Sequence, residues 1–512
     1  MFNSDEVALL GLQLKDASWL FLAGGITLIW LPVFLLVKAV YNVYFHPLRS
    51  YPGPWFSRAT RLHYVYHQLV GDLAYRTKEW HDAYGEVVRV APNELSYNSG
   101  RSYQDVHAWR SKELKSGLEK DKTWYSQSIN SVPVIVTAEN KDHGRLRGIL
   151  SHAFSDRALA RQEPIITSYV DLLMKRLKEG GGAEMDLVPW FASAAMDVIL
   201  DLSFGRSLNC LENTTGDGLH PWVDLVSGHV KQGLYIQAWR RLPAWISRNM
   251  LVNMIIGIIG RQWKEQFQVT TGMAQQRIAA GTGREDFVSH LLRENSEKDG
   301  MTIPELQISS SIFMTAGSDT NATLLCGCAY HIIKDREIWN SLSKEIRGSF
   351  TKESDMTFAA LQKLPMLNAV IEEALRLYVV VPTTFPRRTP PGGATIIGKY
   401  VPGNYAVGVN GYAASLSESN FTLASEFCPN RWLGDPRFAN DDKKAHQPFS
   451  TGPRNCLGKN MAWAFARLTI ARFVWNFDAE LAPESLDWTS GQEIFVMFVK
   501  TPLKVSLRSV PR

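Results

Sequence analysis

The sequence predicts a mainly α-helical chain with small β-sheets behind an N-terminal transmembrane helix. Three observations predict it. Residues Pro164–Leu292 read as several helices, and Thr302–Lys334 reads as one long one. The strand-like segments are short and flanked by turn signals. An uncharged run of about 21 residues, Ala17–Val37, stands near the start. The chain has 512 residues, 45% of them hydrophobic, ample for a large core and for one to three domains. A net charge of +5 is too mild to argue for nucleic acid. Five scattered cysteines give no disulfide framework and point to a reducing compartment.

Ala17–Val37 is long enough at 1.5 Å per residue to cross a bilayer. Gly24, Gly25 and Pro32 interrupt it, which membrane helices tolerate. Asp5 and Glu6 stand where a cleaved signal peptide carries basic residues. Lys38, Arg49, Arg58 and Arg61 follow the span, so the positive-inside rule puts the N-terminus in a lumen and the body in the cytosol. Tyr44–Pro54 (YFHPLRSYPGP) reads as a stiff proline linker. Residues 1–45 are assigned to the anchor and proline hinge, and residues 46–512 to one domain.

Val87–Val90 and Glu94–Tyr97 flank Ala91-Pro92-Asn93 as a hairpin. Trp109–Val136 is aromatic and apolar without a clean period and reads as helix plus long loop. In Lys141–Ser155, His143 and Arg147 are four apart and share a helical face. Trp239–Ile259 is too short in its uncharged part to span a bilayer, and reads as core or as a face lying on a membrane. Thr302-Ile-Pro-Glu305 is a capping box with proline in the first turn. The helix it starts runs to Lys334, on the order of 45 Å. Midway lies Ala316-Gly317-Ser318-Asp319-Thr320. An acid and an alcohol inside an apolar helix are costly unless used, and Gly317 is expected to loosen the helix there. Glu373 and Arg376 stand at i,i+3. The tail Phe495–Arg508 alternates and reads as a terminal hairpin, with Phe495–Phe498 reaching a pocket.

Phe449–Ala462 (FSTGPRNCLGKNMA) holds Cys456 in a glycine-rich loop just before an apolar helix. Backbone N–H groups and the helix dipole favour an anion there, so the thiol pKa is expected to fall. A thiolate is a ligand for a soft or borderline metal. No second cysteine lies two to four residues away, which excludes zinc-finger and iron–sulfur spacings. One thiolate fits haem iron. Gly452 suits a tight turn, Gly458 a close backbone approach to a flat ligand, and Phe449 shields the sulfur. Arg454 is placed to pair with a haem propionate.

The whole pattern Phe-x-x-Gly-x-Arg-x-Cys-x-Gly resembles the haem-binding loop of the cytochrome P450 superfamily. The proline hinge and the following PWFSRATRL are similar to microsomal, filamentous-fungal members of secondary metabolism. Other stretches agree in order: His143/Arg147 with the propionate-holding helix, Ala316–Thr320 with the oxygen-activation motif, Glu373/Arg376 with the buried ion pair. That pair's third member is Arg431, with Asn430 where glutamate is usual. The resemblance implies a cytochrome P450 fold on the anchor and a haem-thiolate monooxygenase with haem b as cofactor. It gives Cys456 the axial ligand, Asp319 and Thr320 proton delivery, and His143, Arg147, Arg387 and Arg454 the propionates. Arg388 is the runner-up to Arg387. Phe449 and Gly458 border the cofactor, and Val380–Phe385 face the substrate. Glu373, Arg376 and Arg431 are structural. The implied partners are a lipophilic small molecule, O2, NADPH–cytochrome P450 reductase with cytochrome b5 as an optional second donor, and the endoplasmic-reticulum membrane. Lys443, Lys444, Lys459 and Arg145 form a patch for an acidic reductase. Two rivals stay open: a dioxygen-independent isomerase or dehydratase, and a non-catalytic membrane-tethered binding protein of the same fold.

Overall fold

The computed structural model describes residues 30–511 apart from 109–116, 126–131, 181, 217, 243–246, 248–265 and 295–299. Residues 1–29, and with them most of the expected membrane span, lie outside the described residues, as does most of Trp239–Ile259.

Two helices form the centre. Leu187–Phe204 is apolar apart from Ser193, Asp197, Asp201 and Ser203, and all 18 of its residues are buried. Such a helix belongs in a core or a membrane. Here it packs against Asp156–Glu179 and along Ile303–Lys334. Among the described residues it alone is long and apolar enough to cross a bilayer, and 94% of it lies inside the fold. Asp156–Glu179 begins earlier than Pro164, capped by Ser155, whose Oγ accepts the Ala158 N–H at 3.3 Å.

Ile303–Lys334, the long helix, starts as the sequence predicts. Thr302 Oγ1 accepts the Glu305 N–H at 3.3 Å, and Glu305 Oε2 accepts the Thr302 N–H at 2.8 Å. Its 32 residues run unbroken through Gly317. The expected loosening does not occur. A Cβ at Gly317 would lie 2.6 Å from Ile199 Cδ1, so the glycine serves close approach of the two central helices.

The sheets are small. Val87–Ala91 and Glu94–Tyr97 form the expected antiparallel hairpin. Ala406–Val409, Arg387–Arg388 and Glu119–Lys120 extend it to five strands. The tail departs from the expected hairpin. Lys504–Ser509 is the central strand between Glu184–Asp186 and Phe477–Leu481, and only Ile494 and Phe498 bridge within the tail. Pro502 removes a ladder donor just before the strand, and Val505 and Leu507 bury one face of it.

The helix Trp30–Phe45 carries residues 30–37 of the expected span. Trp30, Leu36 and Val37 are 65%, 65% and 62% exposed. The proline run after it is no free linker. Leu48 is fully buried, and the Pro52 carbonyl accepts the Arg89 N–H at 2.7 Å. A Cβ at Gly53 would lie 2.5 Å from the Arg89 carbonyl oxygen. The run is docked on the first sheet.

Glu373 and Arg376 lie on Pro365–Leu377. Arg376 Nε and Nη2 donate to the two Glu373 oxygens at 2.9 and 2.8 Å, and Arg431 Nε donates at 3.4 Å. The Cys428 N–H and Trp432 Nε1 complete the carboxylate's shell at 3.0 and 2.8 Å. Burial alone would raise the Glu373 carboxyl, but these donors pull it below its ordinary value. Asn430 brings no charge, and Arg431 has Asp441 as a second buried ion-pair partner beside Glu373. Glu373→Gln leaves two buried guanidiniums facing one neutral amide. Removing one partner of a buried pair costs about 3–5 kcal/mol. Thermal unfolding followed by circular dichroism is expected to show a clearly lower Tm; a Tm within about 2 °C of the parent would contradict this account.

Candidate active site

Gly452 has φ +77°, and a Cβ there would lie 2.1 Å from the His107 carbonyl oxygen, so both conformation and space require glycine. The chain turns and the Cys456 N–H donates to the Phe449 carbonyl at 2.8 Å. Phe449 packs half-buried on the main core. Helix Lys459–Asn476 follows, with Gly458 as its N-cap. Gly458 has an ordinary φ of −85°, and a Cβ there would meet no protein atom within 4 Å. Neither backbone nor neighbours demand that glycine; it leaves open space beside the loop.

Cys456 is the one exposed thiol of the five. Its sulfur is reached by solvent yet set deep among protein atoms. Burial pushes the thiol up, and the Gly458 N–H, Arg147 and Lys459 recover only part of that shift. The expected fall in pKa is thus reversed, because desolvation outweighs a helix terminus. Thiolate forms here when a metal cation sits on the sulfur.

The propionate candidates meet on one side of this loop. Arg454 Nη2 donates to the Ala138 carbonyl and Asn140 Oδ1, both at 2.9 Å, while its Nη1 is buried without a partner. Arg387 is 4% exposed, and its Nη1 is also buried and unpartnered. Its Nε faces His107 Nδ1 at 3.4 Å. Arg388 is spent on Asp121 Oδ1 at 2.8 Å and the Asn404 carbonyl at 2.7 Å, which separates it from Arg387. Lys120, from the middle of Trp109–Val136, joins the cluster. Burial and the neighbouring cations push His143 and His107 each down to about 3, Lys120 to about 6 and Arg454 to about 10. Positive groups this crowded, with orphaned N–H donors, fit a ligand that brings carboxylates. Arg147 reaches the loop instead. Its guanidinium donates to the Asn455 carbonyl at 2.6 Å and Asn455 Oδ1 at 2.7 Å, beside Cys456.

On the long helix, Thr320 Oγ1 donates to the Ala316 carbonyl at 2.6 Å, and Ala316 is exposed. Asp319 is buried and forms an ion pair with Lys500 at 2.7 Å. Lys500 was not among the predicted residues. A lone cation in the apolar run FVMFVKTPL was its signal. Pro382, Thr383 and Thr384 line a narrow cleft with Leu73, Ala74 and Phe495, whereas Phe498 stacks on Tyr378 at 4.3 Å. Lys443, Lys444 and Lys459 are exposed. Arg145 leaves the proposed patch, since its guanidinium pairs with Glu305 and donates to the Gly300 carbonyl at 3.0 Å.

Carboxylates of a bound haem would restore the Lys120 charge, so binding takes up a proton between pH about 6 and the ordinary lysine value near 10. The bound form then holds more protons, and haem affinity declines as pH rises through that window. Haem retention measured from about pH 6 to 9 is expected to fall, with the slope flattened in Lys120→Met; parallel profiles would contradict it.

The family profile described as Cytochrome P450 matches residues 57–508. The chain is 43% identical over 497 residues to the cytochrome P450 monooxygenase aclL of Aspergillus oryzae, covering 96% of this chain and 99% of that protein. It is 38% identical to the averantin hydroxylase of Dothistroma septosporum, covering 95% and 91%. It is 36% identical to the fusicoccadiene 8-ol C-16 hydroxylase of Alternaria brassicicola, covering 95% and 97%. With its cysteine loop, long helix and buried ion network in family order, the chain belongs to the cytochrome P450 family.

Proposed function

We propose that this chain is a membrane-anchored haem-thiolate monooxygenase that hydroxylates or epoxidises a lipophilic secondary metabolite such as a polyketide, terpenoid or alkaloid. One observation carries the reading: the one exposed cysteine stands in the same loop as Arg454, which with Arg387 carries an unpartnered buried N–H, a donor set for a carboxylated haem. Bound there, haem supplies the oxidation of substrate by O2.

The chain's own residues do the rest. Cys456 would ligate the haem iron through its sulfur. Arg387, Arg454 and the recharged Lys120 would neutralise the carboxylates, with His143 beside them as a neutral hydrogen-bonding group. Arg147, through Asn455, braces the loop that holds the sulfur, and Gly458 keeps space beside that loop free. Thr320 and Asp319 handle protons on the long helix. Two relatives are named as hydroxylases of different molecules, averantin and fusicoccadiene 8-ol. The type of reaction therefore carries over more firmly than the substrate. The cleft lining mixes apolar Leu73, Val90, Leu234 and Phe495 with polar Gln68, Glu94, Thr384 and Asn410, so the lipophilic substrate class rests on the relatives.

Electrons come from NADPH–cytochrome P450 reductase, with cytochrome b5 as a further donor. The exposed Lys443, Lys444 and Lys459 support docking of an acidic flavoprotein. Residues 1–45 anchor the chain in the endoplasmic-reticulum membrane with the body in the cytosol. The exposed apolar side chains of Trp30–Phe45 support that placement.

The test is Cys456→Ser in the full-length chain. The parent is expected to give the thiolate-type carbon monoxide difference spectrum after reduction, and the variant to lose it. A variant that kept it would move the ligand to another cysteine. Thr320→Ala is expected to keep that spectrum but to release hydrogen peroxide from NADPH and O2 in place of oxidised product, by about tenfold or more over the parent. Unchanged coupling would remove Thr320 from proton delivery.

A further inference from the structure

The acid of the long helix is not free to act. Asp319 Oδ1 accepts from Lys500 Nζ at 2.7 Å, and the two side chains are 9% and 8% exposed. Lys500 Nζ also donates to Thr323 Oγ1 at 3.0 Å, and that hydroxyl donates to the Asp319 carbonyl at 2.7 Å. Helix geometry turns Asp319 about 100° from Thr320. Ala316 and Thr320 share the open flank, while Asp319, Thr323 and Cys326 share a buried one.

The backbone around Lys500 is fixed. The Val499 N–H donates to the Glu493 carbonyl at 2.8 Å, Trp488 Nε1 to the Thr501 carbonyl at 2.7 Å, and the Leu503 N–H to Asp186 Oδ1 at 2.8 Å. Other titratable groups that feel this flank are Cys326, Tyr378, Tyr75 and Asp186. The two tyrosines are committed to Gln492, at 2.7 and 2.9 Å, and Asp186 caps the Leu187–Phe204 helix. None of these is a cation, so Lys500 is the only positive partner described for Asp319.

We propose that Lys500 is a positioning residue for proton delivery: it holds the Asp319 carboxylate on the buried flank, and a proton passes through Asp319 only as this ion pair opens. The inference rests on the monooxygenase reading above. A carboxylate that takes up a proton loses its charge and with it the attraction to the ammonium. Opening of the pair and loading of the acid are therefore one event. The lysine stem is long and flexible on a fixed backbone, which suits a contact that opens and recloses. Removing the ammonium leaves Asp319 without orientation, and delivery loses its order.

The experiment uses the full-length haem protein in microsomes with NADPH–cytochrome P450 reductase, O2 and no added substrate. Reducing O2 to hydrogen peroxide consumes one NADPH per O2, and reducing it to water consumes two. The ratio therefore reports proton delivery without a known substrate. Lys500→Met is expected to raise the peroxide share at least about threefold, and Lys500→Gln to move it the same way. Lys500→Arg is expected to stay within about twofold of the parent, and all three to keep the carbon monoxide difference spectrum. Parental partition in both neutral variants, with spectra intact, overturns the proposal. So does loss of haem in both, which would make Lys500 a structural brace. A parent protein with no thiolate spectrum would instead fail the function reading itself.

Discussion

The placement of the site depends on the buried Glu373–Arg376–Arg431 network. Three charged side chains with no exposed surface are tolerable only when every donor and acceptor is used. Here they are spent widely. Arg376 Nη1 and Nη2 donate to the Ser415, Ala424 and Glu426 carbonyls at 2.9, 2.6 and 2.8 Å, which fixes a stretch that forms little regular structure. Arg431 reaches Asp441, and the next residue, Asp442, accepts the Gly100 N–H at 3.1 Å. The helix Gly100–His107 starts there, and the His107 carbonyl lies against Gly452 of the cysteine loop. The position of the cysteine loop is inherited, step by step, from this ion network.

Charge is handled in three ways in this molecule. The Glu373 network is neutralised internally. Lys500 and Asp319 neutralise each other at the edge of the long helix. Around Arg387, Arg454 and Lys120 positive groups are left in mutual repulsion beside a neutral His143, and Nη1 of each arginine faces no acceptor. Arg241 and Arg472 also carry buried N–H groups without a hydrogen-bond partner; what sets this cluster apart is that two such arginines stand together with a buried lysine. The same contrast applies to Cys456. Its surroundings hold the thiol above its ordinary value, so a thiolate there would depend on a cation brought by a ligand.

Close packing governs the long helix. Gly317 meets Ile199, and a Cβ at Gly327 would lie 2.6 Å from Tyr378 Cδ1. Tyr378 in turn stacks on Phe498 and binds Gln492, so the tail that carries Lys500 is locked to the same helix. Apolar residues outside this core are distributed differently. Along Trp30–Phe45 they face outward, whereas in Leu187–Phe204 they are enclosed. Both helices are apolar, though among the described residues only Leu187–Phe204 is long enough to cross a bilayer, and the neighbours, not the hydropathy, show that it belongs to the core.

By itself the sequence determined what depends on local spacing. The capping box at Thr302 and Glu305, the hairpin at Val87–Tyr97, the glycine turn at Gly452, the family's motif order and the Glu373–Arg376 pair were all legible, since each is set within a few residues. The tertiary structure decided what depends on neighbours distant in the chain. It reassigned Gly317 from a loosened turn to a helix contact and made Lys504–Ser509 a central strand. It paired Arg431 with Asp441 and Arg388 with Asp121. It also raised the Cys456 thiol and paired Asp319 with a lysine 181 residues away. Side-chain charge and burial are sums over such neighbours, so no local pattern carries them. The lone lysine in an apolar tail marked a cost that something must offset, and only the folded chain showed that Asp319 offsets it.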